Sequence, residues 1–263
     1  MRILKAVLLL LLSSAPAVAQ PYKVCTNDWP PFTMMENGEV RGIDADLLGL
    51  VLTNLGVSYE ISLEPWKRCL YRMNNNDLDI LLDAFYSEER AQIMIYPSEP
   101  TVETSLVLFY AKARPYNVNS VASLSGLRVG TEPGYAYAND EFMSGSHFVR
   151  EDAPSLEANF GKLMRGRVDL VITDRIVGLY TAKTLGIESQ IDYNPQSLFK
   201  NDSVYALIHR QSELAQRAAE FDAELKRVKA SPEYQKILQR YHYVPAKKAG
   251  AAAESAANSA QLR

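Results

Sequence analysis

The residues able to do chemistry in this chain are a few charged and aromatic side chains set beside apolar runs. Arg90 ends the segment Ser87-Glu88-Glu89-Arg90. Its guanidinium is a planar fork that matches both oxygens of a carboxylate, which a lysine cannot do. The plainer alternative is a surface arginine at a helix start, where a cation is mildly unfavourable. Asp83 breaks the apolar run Leu78–Phe85, and Asp174 lies between the apolar run Val168–Thr173 and a helical segment, where an aspartate readily serves as an N-cap. Trp29 and Phe32 follow the first strand-like segment, and Trp66 lies in Pro65-Trp66-Lys67-Arg68; aromatic rings at such places line a cleft or fill a core.

Signals for catalysis or metal binding are sparse. The chain has no Gly-x-Ser-x-Gly elbow, no P-loop and no dinucleotide glycine fingerprint. His147, His209 and His242 are too far apart for a zinc-ligand pattern, and Asp140-Glu141 and Glu151-Asp152 read as solvated charge. No cofactor is expected. Cys25 and Cys69 are the only cysteines. In an oxidising compartment such a pair is expected to be a disulfide, with two buried free thiols as the alternative.

The elements that must position these residues alternate between strand and helix. Tyr22–Thr26 reads as the first strand, followed by a polar turn near Glu36–Gly38 and a helix beginning at Asp44 as N-cap. Val57–Leu63, Leu78–Phe85 and Thr104–Ala111 read as strands, with a helix at Trp66–Asn74. The pattern then restarts: strand Leu127–Thr131, helices Ala136–Met143 and Ser155–Arg165, strand Val168–Thr173, and a helix through Lys183. Strand Ser203–His209 and helices Ser212–Lys229 and Pro232–Tyr241 complete it. Two successive strand–helix blocks with a helical return predict an α/β protein of two lobes.

Met1–Ala19 has the basic start, apolar run and small-x-small end of a secretory signal peptide, and its apolar stretch is too short to span a bilayer. The whole chain carries 28 basic and 31 acidic residues, and loss of Arg2 and Lys5 with the leader makes it more acidic still. Such a balance has no electrostatic footprint for nucleic acid or anionic lipid. The Ala-rich tail, 246–263, is expected to be disordered.

Several segments in order resemble the family-3 extracellular solute-binding proteins, receptors of polar amino acid uptake. They are Asp28-Trp29-Pro30-Pro31-Phe32, the run Gly38–Leu47, Pro65-Trp66-Lys67-Arg68, Ser87-Glu88-Glu89-Arg90, Leu124–Thr131, Gly134-Tyr135-Ala136-Tyr137 and Gly166-Arg167-Val168-Asp169. The resemblance implies a two-lobed periplasmic-binding-protein fold of the second type, with two hinge crossovers near Thr101–Ser105 and Leu198–Ser203. Residues 21–103 and 204–245 would form lobe 1 and 104–203 lobe 2. It further implies a monomer in the periplasm that binds a small amino acid-like ligand and serves the membrane permease of an ABC transporter.

The resemblance also assigns roles. Arg90 would grip the ligand carboxylate and Asp174 its ammonium, with Trp29, Phe32 and Trp66 as candidate walls. Gly134 and Tyr135 would open a second-lobe loop whose N–H groups, at a helix N-terminus, meet an anionic ligand group. One departure is Phe85, which stands where relatives carry a small hydroxyl residue. A second is Asp83, which either neutralises Arg90 or receives a cationic group of the ligand. Two other readings compete: an enzyme similar to periplasmic cyclohexadienyl dehydratases, with Asp83 or Asp174 as general acid, and a partner of a membrane sensor.

Overall fold

The structure is a computed structural model; it describes residues 20–243 apart from 136, 138, 195–197 and 199–201. The leader 1–19, the tail 246–263 and half of the second crossover (199–201) lie outside the described residues.

Thirteen strands are described: β1 (Tyr22–Thr26), β2 (Met34–Glu36), β3 (Glu39–Arg41), β4 (Tyr59–Leu63), β5 (Ile80–Phe85), β6 (Met94–Ile95), β7 (Val102–Thr104), β8 (Leu106–Ala111), β9 (Arg128–Thr131), β10 (Val149–Asp152), β11 (Leu170–Asp174), β12 (Ile191–Tyr193) and β13 (Asp202–His209). The α-helices are α1 (Ile43–Asn54), α2 (Trp66–Asn74), α3 (Glu88–Ile93), α4 (Asp140–Ser144), α5 (Leu156–Met164), α6 (Arg175–Thr184), α7 (Ala218–Lys229) and α8 (Pro232–Arg240).

Two mixed sheets organise these elements, each the core of one lobe. The first runs β4-β1-β5-β13-β6, with β7 also paired to β13; the second runs β10-β9-β11-β8-β12. The first therefore draws on both ends of the chain and the second on its middle. β1 is parallel to β4 and β5, and β9 is parallel to β10 and β11. In open sheets of this kind ligands bind beyond the carboxyl ends of parallel strands. Asn27, Glu64 and Glu132 lie directly beyond the ends of β1, β4 and β9, while Asp174 is the last residue of β11.

α1 packs on α7 and α8, and α5 packs on β8, β9 and β11. The other face of the first sheet holds a smaller cluster around Cys25, Trp66, Cys69, Leu81 and Leu207. Cys25 and Cys69 are disulfide-bonded, with Cα atoms 5.5 Å apart, which ties α2 to β1. The free-thiol alternative is thereby excluded.

Some local expectations change. α1 starts one residue early, at Ile43 with Gly42 as N-cap, so Asp44 is inside the helix and fully buried rather than capping it. Gly42 sits at φ 127, and a Cβ there would lie 2.2 Å from the Phe32 carbonyl oxygen, so only glycine permits this approach. The helix read at Ala136–Met143 is the short α4, capped by Asn139. The segment Ser212–Lys229 is a 3₁₀ turn, Glu213–Arg217, followed by α7.

Candidate functional site

β5 carries the central irregularity of the first lobe. Tyr205 pairs with Ala84 and Leu207 with Leu81, so Leu82 and Asp83 together oppose Ala206 in a β-bulge. Asp83 adopts φ 61, a left-handed conformation that aspartate tolerates better than most residues. The extra residue reverses the alternation of the strand. Phe85 consequently joins Leu82 and Ile80 in the main core, while Ala84 faces the cluster of Leu81 and Cys25.

The bulge turns the Asp83 carboxylate inward. Its Oδ2 accepts from Thr26 Oγ1 at 2.6 Å and from Thr33 Oγ1 at 2.7 Å. Its pKa is raised by burial, against the opposing effect of hydrogen bonds from Asp44, Thr26 and Thr33. Asp83 forms no salt bridge with Arg90, so the expectation that it neutralises that arginine is not met.

Arg90, on α3, is 5% exposed. Its Nη1 donates to the Phe85 carbonyl at 3.0 Å and its Nη2 to the Gly134 carbonyl of the other lobe at 3.2 Å. The guanidinium carbon lies 5.4 Å from the centre of the Trp66 ring, within reach of cation–π attraction. Burial lowers its pKa, yet an arginine stays charged throughout the working pH range. Among the described residues it forms no salt bridge. It is a buried cation held by two carbonyls, a ring and no carboxylate.

The second lobe meets this site through the Gly134–Tyr135 turn. The Gly134 carbonyl accepts from Trp66 Nε1 at 3.1 Å as well as from Arg90. Gly134 has φ 84, and a Cβ would stand 3.1 Å from Leu70 and 3.4 Å from Trp66, so the turn fits tightly on α2. The Tyr135 hydroxyl accepts from Asn27 Nδ2 at 2.7 Å, and burial pushes its pKa well up. The turn thus presents a carbonyl to Arg90, and the Tyr135 N–H is used within it, by the Glu132 carbonyl. The expected N–H anion site at a helix start is corrected here, because α4 begins only at Asp140.

Asn27, Trp29, Trp66, Asp83, Phe85, Arg90 and Tyr135 enclose an inner cavity of about 10 Å³, room for about one water molecule. Four of them (Asn27, Trp29, Trp66 and Tyr135) also line an outer cavity of about 460 Å³ between the lobes. Trp29 packs against Phe32 at 4.7 Å and edge-on to Phe85 at 6.1 Å, and Trp66 meets Tyr135 edge-on at 6.1 Å.

Asp174 and Phe32 lie elsewhere, in a second small cavity with Ser105 and Tyr243. Asp174 Oδ1 accepts from Ile176 N at 2.8 Å and Val177 N at 3.1 Å, and its Oδ2 from Ser105 N at 3.0 Å. It caps α6 and clasps the chain between β7 and β8. Seven of the nine candidate ligand residues are brought together; Asp174 and Phe32 are not.

Sequence reading passed over Asn27, Asp28, Glu132 and Glu157, all of which line the outer cavity. Position beyond the end of a parallel strand was the available signal for Asn27, Asp28 and Glu132. Burial, reinforced by the Glu157 charge, pushes Glu132 up to about 8. Burial and the same charge raise Asp28. Among the described residues no cluster of metal ligands is present, and no helix is long and apolar enough to cross a membrane.

Residues 22–244 match the model of the bacterial extracellular solute-binding proteins, family 3. A probable histidine-binding protein of Neisseria gonorrhoeae is 26% identical over 92% of this chain and 90% of its own length. An arginine-binding periplasmic protein of Mannheimia haemolytica is 20% identical, over 86% of this chain and 92% of its own. The solved arginine-, lysine-, histidine-binding protein of Geobacillus stearothermophilus superposes with TM-score 0.70 at 25% identity, covering 84% of this chain and 95% of that one.

Proposed function

Since the chain belongs to the bacterial extracellular solute-binding proteins of family 3, we propose that it is a non-catalytic receptor that captures an amino acid by its carboxylate at Arg90. The carrying observation is the buried guanidinium with no carboxylate beside it. A buried cation is costly unless paired, and a ligand carboxylate would complete its bidentate fork. The Gly134 carbonyl is the weaker acceptor that the ligand displaces. Because that carbonyl comes from the other lobe, ligand entry opens the cleft and capture closes it again by hinge motion about the two crossovers. Relatives named for binding histidine and arginine support an amino acid as ligand.

Family members are extracellular or periplasmic. In this reading the leader exports the chain to the periplasm, and the closed, loaded receptor delivers its ligand to the membrane permease of an ABC transporter. Calorimetric titration with a panel of amino acids tests the binding step. Arg90→Ala is expected to weaken binding of the best ligand by more than about 2 kcal/mol, roughly thirtyfold. Unchanged affinity in that variant, or no binding by any member of the panel, overturns the assignment.

A further inference from the structure

The Gly134–Tyr135 turn of the second lobe is built as a stiff projection. Glu132-Pro133-Gly134-Tyr135 has proline and glycine in its two middle places, and φ is 84 at Gly134. The Tyr135 N–H donates to the Glu132 carbonyl at 3.3 Å. Those are the marks of a type II turn, whose third place suits glycine. The buried Tyr137 braces the turn from behind, its hydroxyl accepting from the Glu132 N–H at 2.8 Å.

This projection meets a set of donors in the first lobe. The Gly134 carbonyl accepts from Trp66 Nε1 at 3.1 Å and from Arg90 Nη2 at 3.2 Å, and the Tyr135 hydroxyl accepts from Asn27 Nδ2 at 2.7 Å. All three donors belong to residues that line the inner cavity. Two oxygens set against a guanidinium, an indole and an amide are the acceptors that a ligand carboxylate would present to the same groups. The inner cavity, at about 10 Å³, has room for about one water molecule beside the seated turn. The turn and a ligand carboxylate therefore exclude each other at Arg90.

We infer that the Gly134–Tyr135 turn is a built-in competitor for the ligand, and that Tyr135 sets the affinity of the site by latching the lobes together through Asn27. This rests on the reading of Arg90 given above. While the turn is seated, its oxygens hold the donors and the cleft is shut. The ligand binds only the fraction of molecules in which the turn has withdrawn, and its apparent affinity is reduced by that fraction. Loosening the turn without touching the ligand's own contacts then raises affinity, the opposite of what loss of an ordinary binding residue does.

Tyr135→Phe is the variant that loosens it. The ring stays edge-on to Trp66 and only the hydroxyl is lost, while Asn27 Nδ2 keeps its bond to the Asp28 carbonyl at 3.1 Å. Loss of one such hydrogen bond shifts the opening equilibrium about fivefold. The chain has 2 tryptophans, Trp29 and Trp66, so Trp66→Phe assigns the Trp66 indole proton in a nuclear magnetic resonance spectrum. Bonded to the Gly134 carbonyl, that proton exchanges with solvent when the turn withdraws, and its rate reads the opening equilibrium. In purified protein without added amino acid, Tyr135→Phe is expected to speed this exchange about fivefold and leave the amide protons of β11, in the core of the second lobe, unchanged. By calorimetry the variant should bind whichever of L-histidine and L-arginine the wild type binds about fivefold more tightly. An unchanged indole rate, an equal rise at β11, or weaker binding by the variant overturns the competitor while leaving the Arg90 reading in place. Failure of every amino acid to bind would instead overturn the Arg90 reading, and the exchange rates would still decide whether the turn latches the lobes.

Discussion

Asp44 and Asp83 bring their buried carboxyl groups beside each other inside the first lobe, and each acts on the other's ionisation. Asp44 Oδ2 accepts from Thr101 Oγ1 at 2.8 Å, and Asp83 Oδ2 is held by Thr26 and Thr33. The Oδ1 atom of each is buried and has no hydrogen-bond partner. Two carboxylates meet in this way only when one keeps its proton. Burial raises Asp44 well above the carboxylate range and the Asp83 charge adds to it, so Asp44 is the member that keeps its proton beside Asp83. The chain of contacts runs from Thr101, beside β7, to the wall of the Arg90 cavity.

This pair predicts how stability responds to pH. Unfolded, Asp44 ionises near pH 4; folded, it stays protonated to a much higher pH. Above about pH 4 the native state therefore binds more protons than the unfolded state, and this group removes stability as pH rises towards its folded pKa. Asp44→Asn keeps an acceptor for Thr101 and a donor for Asp83 without a titrating proton. Its denaturation midpoint should fall less between pH 5 and 8 than that of the wild type, by roughly the range over which linkage acts. Parallel curves for the two proteins would show that no shared proton is present.

The disulfide should support the site as well as the fold. Cys69 lies on α2, the helix that starts at Trp66, and Cys25 on β1, which leads to Asn27 and Trp29. Its residues are 44 apart in sequence, and the chain-entropy model gives at most about 4 kcal/mol for such a loop. Paired replacement by serine should lower the thermal midpoint by several degrees and weaken ligand binding at a temperature where the variant remains folded. A variant with the wild-type midpoint would contradict this.

Asp174 offers a test between cap and ligand contact. Its three backbone N–H partners would be stranded in Asp174→Ala, at a cost of about 2 kcal/mol or more. The expected outcome is a lower denaturation midpoint with ligand affinity, measured on folded protein, changed only a few-fold. Lost affinity at unaltered stability would instead put the carboxylate against the ligand.

Much of the architecture was legible in the order of the residues. Periodicity located β1, α2, α5 and α8 within about a residue, because each has its own apolar pattern and most have a clear cap, such as Ser155 or Ser231. The short strands β10 and β12 were not legible, since a few residues at a sheet edge carry no period; β10 reads Val-Arg-Glu-Asp and is largely exposed. Arg90, Trp29 and Trp66 could be singled out as candidates because their types declare what they can do, and the structure brings them together.

Sequence alone determined which groups this protein possesses: the forked cation of Arg90 in a strand–helix frame, aromatic rings, and a cysteine pair far enough apart to join helix to strand. Only the tertiary structure decided what each group faces. The bulge at Leu82-Asp83 arises from pairing with β13, more than a hundred residues away, and it sends Asp83 to Asp44 instead of Arg90. Asp174 and Glu132 are both acidic residues at the carboxyl ends of strands in the same sheet, yet one is consumed by backbone N–H groups and the other is left facing the cleft. Residue type fixes a charge, but its partners come from chain segments that only folding brings within hydrogen-bonding reach.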